Sequence, residues 1–138
     1  MSKYKEIRTV YKNTRSLVKA IESVTGKRPT VSREPQSLYG YTGDKRAEKA
    51  HVIIPRITVN NFSGGSSNDI GFVKENGTYK SIVSEFDERQ AGSIGLLKKI
   101  KQEYSLAETK RLARTRGYSS GKPERKEDGT ITIKLRLN

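Results

Sequence analysis

A chain of 138 residues, 32% hydrophobic and 31% charged, is long enough for one domain with a modest core and lies at the polar edge of globular composition. It has no cysteine, which excludes a disulfide framework and a thiolate-bound zinc site and is compatible with a reducing interior compartment. With 28 Lys+Arg against 15 Asp+Glu the formal charge is +13, a field that points first to a polyanionic partner such as nucleic acid.

The start, Met1-Ser2-Lys3-Tyr4-Lys5-Glu6, lacks the apolar stretch of a signal peptide. Nowhere does an apolar run approach the roughly 20 residues that span a bilayer, so a soluble cytoplasmic protein with no membrane partner is expected. Residues 3–11 read as a strand, with Ile7, Thr9 and Tyr11 on one side of the alternation. A helix follows, capped by Asn13 or Thr14, with Leu17, Ala20, Ile21 and Val24 at helical spacing and Gly26 then Pro29 to end it. Residues 27–48 hold Pro29, Pro35, Gly40 and Gly43 without a sustained period and read mostly as loop. His51-Val52-Ile53-Ile54 is a short buried strand stopped by Pro55, and Ile57 with Val59 suggests another before a Ser63–Ser67 linker.

Two β-rich runs, residues 69–74 and 79–85, are joined by Glu75-Asn76-Gly77-Thr78. Asn-Gly supplies the two positive φ angles of a type I′ turn, so a hairpin is expected. Residues 91–116 carry the longest helical pattern: Ile94, Leu97, Ile100, Tyr104 and Ala107 share an arc that Lys101 and Arg111 intrude on, and Gly117 ends it. A last hairpin turns at Asp128-Gly129, with Ile131, Ile133, Leu135 and Leu137 inward and Lys134 and Arg136 on a wet face. The order β-α-β-β-β-α-β-β predicts a single α+β domain over residues 1–138, a largely antiparallel sheet with two helices packed on one face.

Several blocks in this order resemble the hypothetical chloroplast reading-frame thirty-five family of plastids, cyanobacteria, other bacteria and phages. They are Tyr4-Lys5-Glu6-Ile7-Arg8-Thr9, Tyr39-Gly40-Tyr41-Thr42-Gly43, Asn68-Asp69-Ile70-Gly71-Phe72, Asn76-Gly77-Thr78-Tyr79, Gln102-Glu103-Tyr104-Ser105 and Glu127-Asp128-Gly129-Thr130-Ile131. Two departures stand out: residues 56–67 look like an insertion, and the stretch after Phe86 lacks the aromatic residues common there. The resemblance implies a fold and an intracellular location and no established activity. Association of family members with hexameric AAA+ ATPases implies an adaptor role as the alternative function.

Catalytic constellations are weak. The lone His51 sits in an apolar run, where a structural imidazole is the better reading than a general base. Asp69 reads as a strand-initiating or turn-bonding residue rather than a proton acceptor. Glu85, Asp87 and Glu88 suit either magnesium or, better, a helix N-terminus whose dipole favours acids. Gly64-Gly65 lacks the Gly-Lys-Ser/Thr of a phosphate loop. Tyr39 and Tyr41 read either as stacking platforms for bases or as a loop packed on the core. No cofactor, metal or enzymatic activity is expected.

Charge is segregated along the chain. Residues 1–33 carry nine cations against two acids, residues 34–97 seven against eight, and residues 98–138 twelve against five. The last segment holds the candidate nucleic-acid contacts: Lys98, Lys99, Lys110, Arg111, Arg114, Arg116, Lys122, Arg125, Lys126, Lys134 and Arg136. Some of these cations suit a helix C-terminus on dipole grounds alone; their density suits phosphate neutralisation better. RNA or a ribonucleoprotein is favoured over duplex DNA because no helix-turn-helix or zinc-finger signature appears.

Overall fold

Asn76 and Gly77 adopt φ of 52° and 78°, the left-handed pair that a type I′ turn requires, and they close the expected central hairpin. In the computed structural model, which describes residues 3–137 and residues 8–10 by their backbone alone, that hairpin is β4 (Ile70–Glu75) with β5 (Thr78–Ser84). It is the middle of an antiparallel five-stranded sheet. β1 (Tyr4–Tyr11) pairs with β5, β3 (Lys45–Ile54) with β4, and β2 (Thr30–Tyr39) with β3, giving the order β1-β5-β4-β3-β2. The expected α+β class and antiparallel sheet are therefore observed.

Helix α1 (Thr14–Thr25) starts where Asn13, not Thr14, accepts from the Ser16 N–H at 2.9 Å, and Gly26 ends it at φ 75°. It packs against α4 (Ala91–Thr115), which follows the single turn α3 (Glu85–Glu88), on one face of the sheet. Between them lies the main core, in which Leu17, Ile21, Phe72, Val83, Leu96 and Ile100 are fully enclosed. A smaller cluster of Leu38, Ala50, Ile53 and Ile82 lies apart from it. Gly71 belongs where the backbone passes this second cluster. A Cβ there would lie 2.6 Å from that of Ala50 and 2.9 Å from a Leu38 methyl, closer than carbon atoms pack. Gly71→Ala is expected to cost about 1–3 kcal/mol by overpacking. A lowered urea midpoint with an unchanged slope is the readout, and an unchanged midpoint would refute the close approach.

Three expectations need correction. Residues 27–48 are not mostly loop, because they supply all of β2 and the start of β3. β2 is an edge strand, and prolines are tolerated there because one row of N–H groups has no ladder partner to lose. Its register jumps from Val31 opposite Val52 to Gln36 opposite Ala50, so the Pro35 region bulges out of the ladder. Ile57 and Val59 lie not in a strand but in α2 (Arg56–Ser63). Pro55 has φ −59° and its carbonyl accepts from both Thr58 and Val59; a proline preset near helical φ starts this helix rather than merely stopping β3. The Ser63–Ser67 stretch is likewise no free linker, since Gly64 caps α2 and Ser67 is buried with its N–H on the Asn60 side chain.

The C-terminal hairpin also departs from expectation. It turns at Asp128-Gly129, with Gly129 donating to the Lys126 carbonyl at 3.0 Å, but its strands do not join the main sheet. β6 (Tyr118–Ser120) pairs with β9 (Leu135–Leu137), and β7 (Glu124–Arg125) with β8 (Ile131–Thr132), as separate ladders. Ile131 and Ile133 are half-buried, whereas Leu135 and Leu137 face solvent rather than a core, Leu137 with 68% of its surface exposed. Lys134 and Arg136 are exposed on these ladders, not on a wet face of the main sheet.

Candidate nucleic-acid interface

The platform for the expected basic surface is α4, and its orientation is set by contacts to three neighbours. The Tyr104 hydroxyl accepts from the backbone N–H of Lys12 at 2.8 Å and of Asn13 at 3.1 Å, pinning the middle of α4 to the start of α1. The Tyr104 ring meets Tyr11 edge-on at 4.8 Å between centroids, a favoured aromatic geometry. At the first turn, Ser93 donates to Asp87 at 2.9 Å and is fully buried. That bond turns Ser93 inward and leaves Ile94, expected on the apolar arc, 47% exposed.

The cations then divide. Lys98, Lys99, Arg114 and Arg116 are exposed and Lys110 is half-buried. The Lys99 ammonium stands 5.4 Å from the Phe62 ring centroid, so it is held over α2 by cation–π attraction. Arg111 makes a two-point contact with Glu108, at 3.1 and 2.9 Å. The pairing holds Glu108 below the usual carboxylate range and raises the guanidinium further. On the C-terminal ladders Arg125 pairs with Glu103 at 2.8 Å, while Lys122, Lys126, Lys134 and Arg136 are exposed. Asp128, in the turn, is kept below its ordinary range chiefly by the Thr130 N–H, with a smaller contribution from Lys98. Of the eleven candidates, Arg111 and Arg125 are in ion pairs; the other nine form no salt bridge among the described residues, Lys98 acting on Asp128 only at longer range.

The hairpin folds back along α4, which brings part of the set together. Lys99, Arg125 and Lys126 line one cleft of about 390 Å³ between α1, α4 and the turn, together with Glu103 and Glu127. Lys134 and Arg136 lie on the β6–β9 side of the hairpin, where β6 packs on the helix. Tyr118, at the start of β6, is half-buried there. From Lys98 to Arg114 the helix rises roughly 24 Å at 1.5 Å per residue, a length that can follow several phosphates.

A second concavity, with one cation and one acid in its lining, lies beside a buried polar network. The sequence pattern gave no sign of this network, which is built on two acids. Asp87 is fully buried, and its carboxyl accepts from Ser84 at 2.8 Å, Ser93 at 2.9 Å, and the Asn68 N–H and amide at 3.1 and 3.3 Å. It does not join Glu85 and Glu88, the former half-buried and the latter paired with Lys5 at 3.6 Å. Asn68 in turn accepts from the Tyr41 N–H at 2.8 Å. Asp69 accepts from the N–H of Tyr39 at 2.8 Å and of Arg56 at 2.7 Å, so it serves α2 as a cap supplied from another segment. Burial pushes the Asp69 carboxyl up, against the pull of those two N–H groups and of Arg56. Asp69 stands directly before β4, as the strand-initiating reading has it, and its carboxyl bonds two distant segments rather than a local turn. His51 accepts from the Lys74 N–H at 3.0 Å where β3 parts from β4, a structural bond.

These tethers hold the Tyr39–Gly43 turn above α2. Between turn, bulge and helix is a cleft of about 710 Å³ lined by Thr30, Gln36, Ser37, Tyr39, Ile53, Pro55, Arg56, Ile57, Asn60 and Asp69. Tyr41 and Ile57 beside it are 52% and 66% exposed. Within the turn Gly40 is buried, while Thr42, Gly43 and the Tyr39 and Tyr41 rings face outward. Among the described residues, no group of three His, Cys, Asp or Glu is placed to hold a metal ion, and no helix is long and apolar enough to cross a membrane.

Residues 28–134 match the family described as protein of unknown function DUF1257. The chain belongs to the DUF1257 family. The matched stretch runs from just before β2 to the end of the hairpin turn region, so it takes in the tethered cleft and every candidate cation except Arg136. It leaves out β1, α1 and β9. No curated protein and no solved structure matches the chain.

Proposed function

We propose that this DUF1257 chain is a non-enzymatic protein that binds RNA or a ribonucleoprotein through α4 and the C-terminal ladders. The observation that carries the reading is that nine of the eleven candidate cations form no salt bridge among the described residues. Such cations repel one another until phosphates replace their counterions, and release of those counterions drives association. Contacts of this kind position a backbone without reading its sequence. We further place the chain with the chloroplast reading-frame thirty-five proteins that its sequence blocks resemble, working in the cytoplasm or plastid stroma.

Binding to a single-stranded RNA is expected to weaken steeply with salt. Each phosphate contact adds about −0.7 to the slope of log K against log salt, so four or five contacts imply roughly a fifty- to hundredfold loss between 50 and 200 mM. Fluorescence anisotropy across that range decides it, and a flat response removes the proposal. The second reading, an adaptor for an AAA+ ATPase or another acidic protein, draws on the exposed Leu135 and Leu137 beside Lys134 and Arg136. It requires capture from lysate that survives nuclease treatment.

A further inference from the structure

We infer that the cleft between the Tyr39–Gly43 turn and α2 receives an unpaired nucleobase, which gives the RNA reading above a base-binding pocket distinct from its phosphate contacts. In a chain of charge +13, this roomy concavity carries one cation and one acid, Arg56 and Asp69, and is otherwise neutral. Phosphate has no reason to seek it. A neutral planar heterocycle does, because about 300–1,000 Å³ is the ordinary size of a small-molecule site and this one measures about 710 Å³.

Its walls offer what a base needs. Tyr39 supplies an aromatic face and Ile57, 66% exposed, an apolar one. Polar groups of complementary sense are left over at the rim. The Gln36 amide nitrogen donates to the Glu34 carbonyl, leaving its oxygen as an acceptor. The Asn60 oxygen accepts from Ser67, leaving its amide nitrogen as a donor. One acceptor and one donor match the mixed edges that bases present when unpaired. Preorganisation comes from the buried tethers, since Asp69 holds both the Tyr39 backbone and the first N–H of α2. The Arg56 guanidinium, bonded to the Tyr41 carbonyl at 2.8 Å, fixes the other side of the turn.

The test has two arms. In the first, the free ribonucleosides adenosine, guanosine, cytidine and uridine, which carry no phosphate, are titrated at millimolar concentration while NMR signals of Tyr39 and Ile57 are followed. At least one is expected to shift them saturably; silence with all four overturns the pocket, whatever RNA does on the basic surface. In the second, a single-stranded RNA and a blunt RNA duplex are compared on the wild type, Tyr39→Ala and Tyr39→Phe. Base–aromatic stacking predicts a loss of about five- to a hundredfold for the single strand in Tyr39→Ala, retention in Tyr39→Phe, and no change for the duplex. Equal losses for both RNAs, or none, overturn the pocket. Nucleoside binding without any RNA binding would keep the pocket and remove the proposed RNA function.

Discussion

Replacing Asp87 with alanine is expected to destabilise the protein by about 3 kcal/mol or more, a large part of the stability of a fold of this size. Its carboxyl is an acceptor for four donors from three segments: Ser84 at the end of β5, Ser93 in the first turn of α4, and Asn68 twice. All three partner residues are buried. Truncation strands the two serine hydroxyls and the Asn68 N–H, at about 1–3 kcal/mol for each group, while the Asn68 amide keeps its bond to the Ser84 hydroxyl at 2.8 Å. Asparagine makes the informative contrast. Three of the four bonds converge on Oδ2, which the asparagine oxygen replaces, and only Ser93 meets Oδ1. There an amide nitrogen donates to a hydroxyl that can equally accept. Asp87→Asn is expected to lose only about 1–2 kcal/mol, the difference between charged and neutral hydrogen bonds. Urea unfolding with a common slope measures both; an alanine variant within 1 kcal/mol of the wild type would show that the network is not what joins these segments.

That network was invisible in the sequence for a definite reason. Glu85, Asp87 and Glu88 sit together near a helix start, and acids there are adequately explained by the dipole. Which of the three turns inward depends on Ser84 and Ser93 lying on either side of it, and on Asn68 from a segment 19 residues earlier. The same dependence explains the misplaced Ile94. Periodicity puts Ile94 and Leu97 on the arc, yet the first turn is rotated by a hydrogen bond rather than by apolar burial. What was legible was local: the cap and spacing of α1, and the Asn76-Gly77 turn whose backbone needs no tertiary help. The polar, proline-bearing β2 was missed because an edge strand pays little for proline or for charge. Clean alternation over residues 131–137 points to one core strand, whereas the chain forms two short strands in separate ladders, β8 and β9, because alternation does not say which surface the apolar side meets.

The candidate interface divides in the same way. Its cations could be counted from the sequence, and the Arg111–Glu108 contact at i,i+3 follows from helix spacing. The Arg125–Glu103 pair spans 22 residues and two elements, so only the folded chain reveals which arginine is already neutralised. The cleft beneath Tyr39 needed both the β2 bulge and α2, the two elements that the pattern misassigned.

Neutralising Lys122, Lys126, Lys134 and Arg136 together, each to glutamine, is expected to leave the fold intact and remove most of the RNA affinity. All four are exposed and outside every ion pair among the described residues, so each substitution is expected to change stability by no more than about 0.5 kcal/mol. If all four meet phosphates, the salt slope for a single strand falls by about 2.8, at 0.7 per contact. Extrapolated from convergence near 1 M salt, that slope corresponds to a several-hundredfold loss near 0.1 M. Arg111→Gln is the matched control, because its guanidinium is engaged by Glu108 on two points, and it is expected to change the slope far less than one contact. Should the quadruple variant keep the wild-type slope, the ladders do not touch the polyanion. An equal effect from Arg111→Gln would mean that the helix pairs open on binding, and that cations paired in the unbound protein belong to the interface as well.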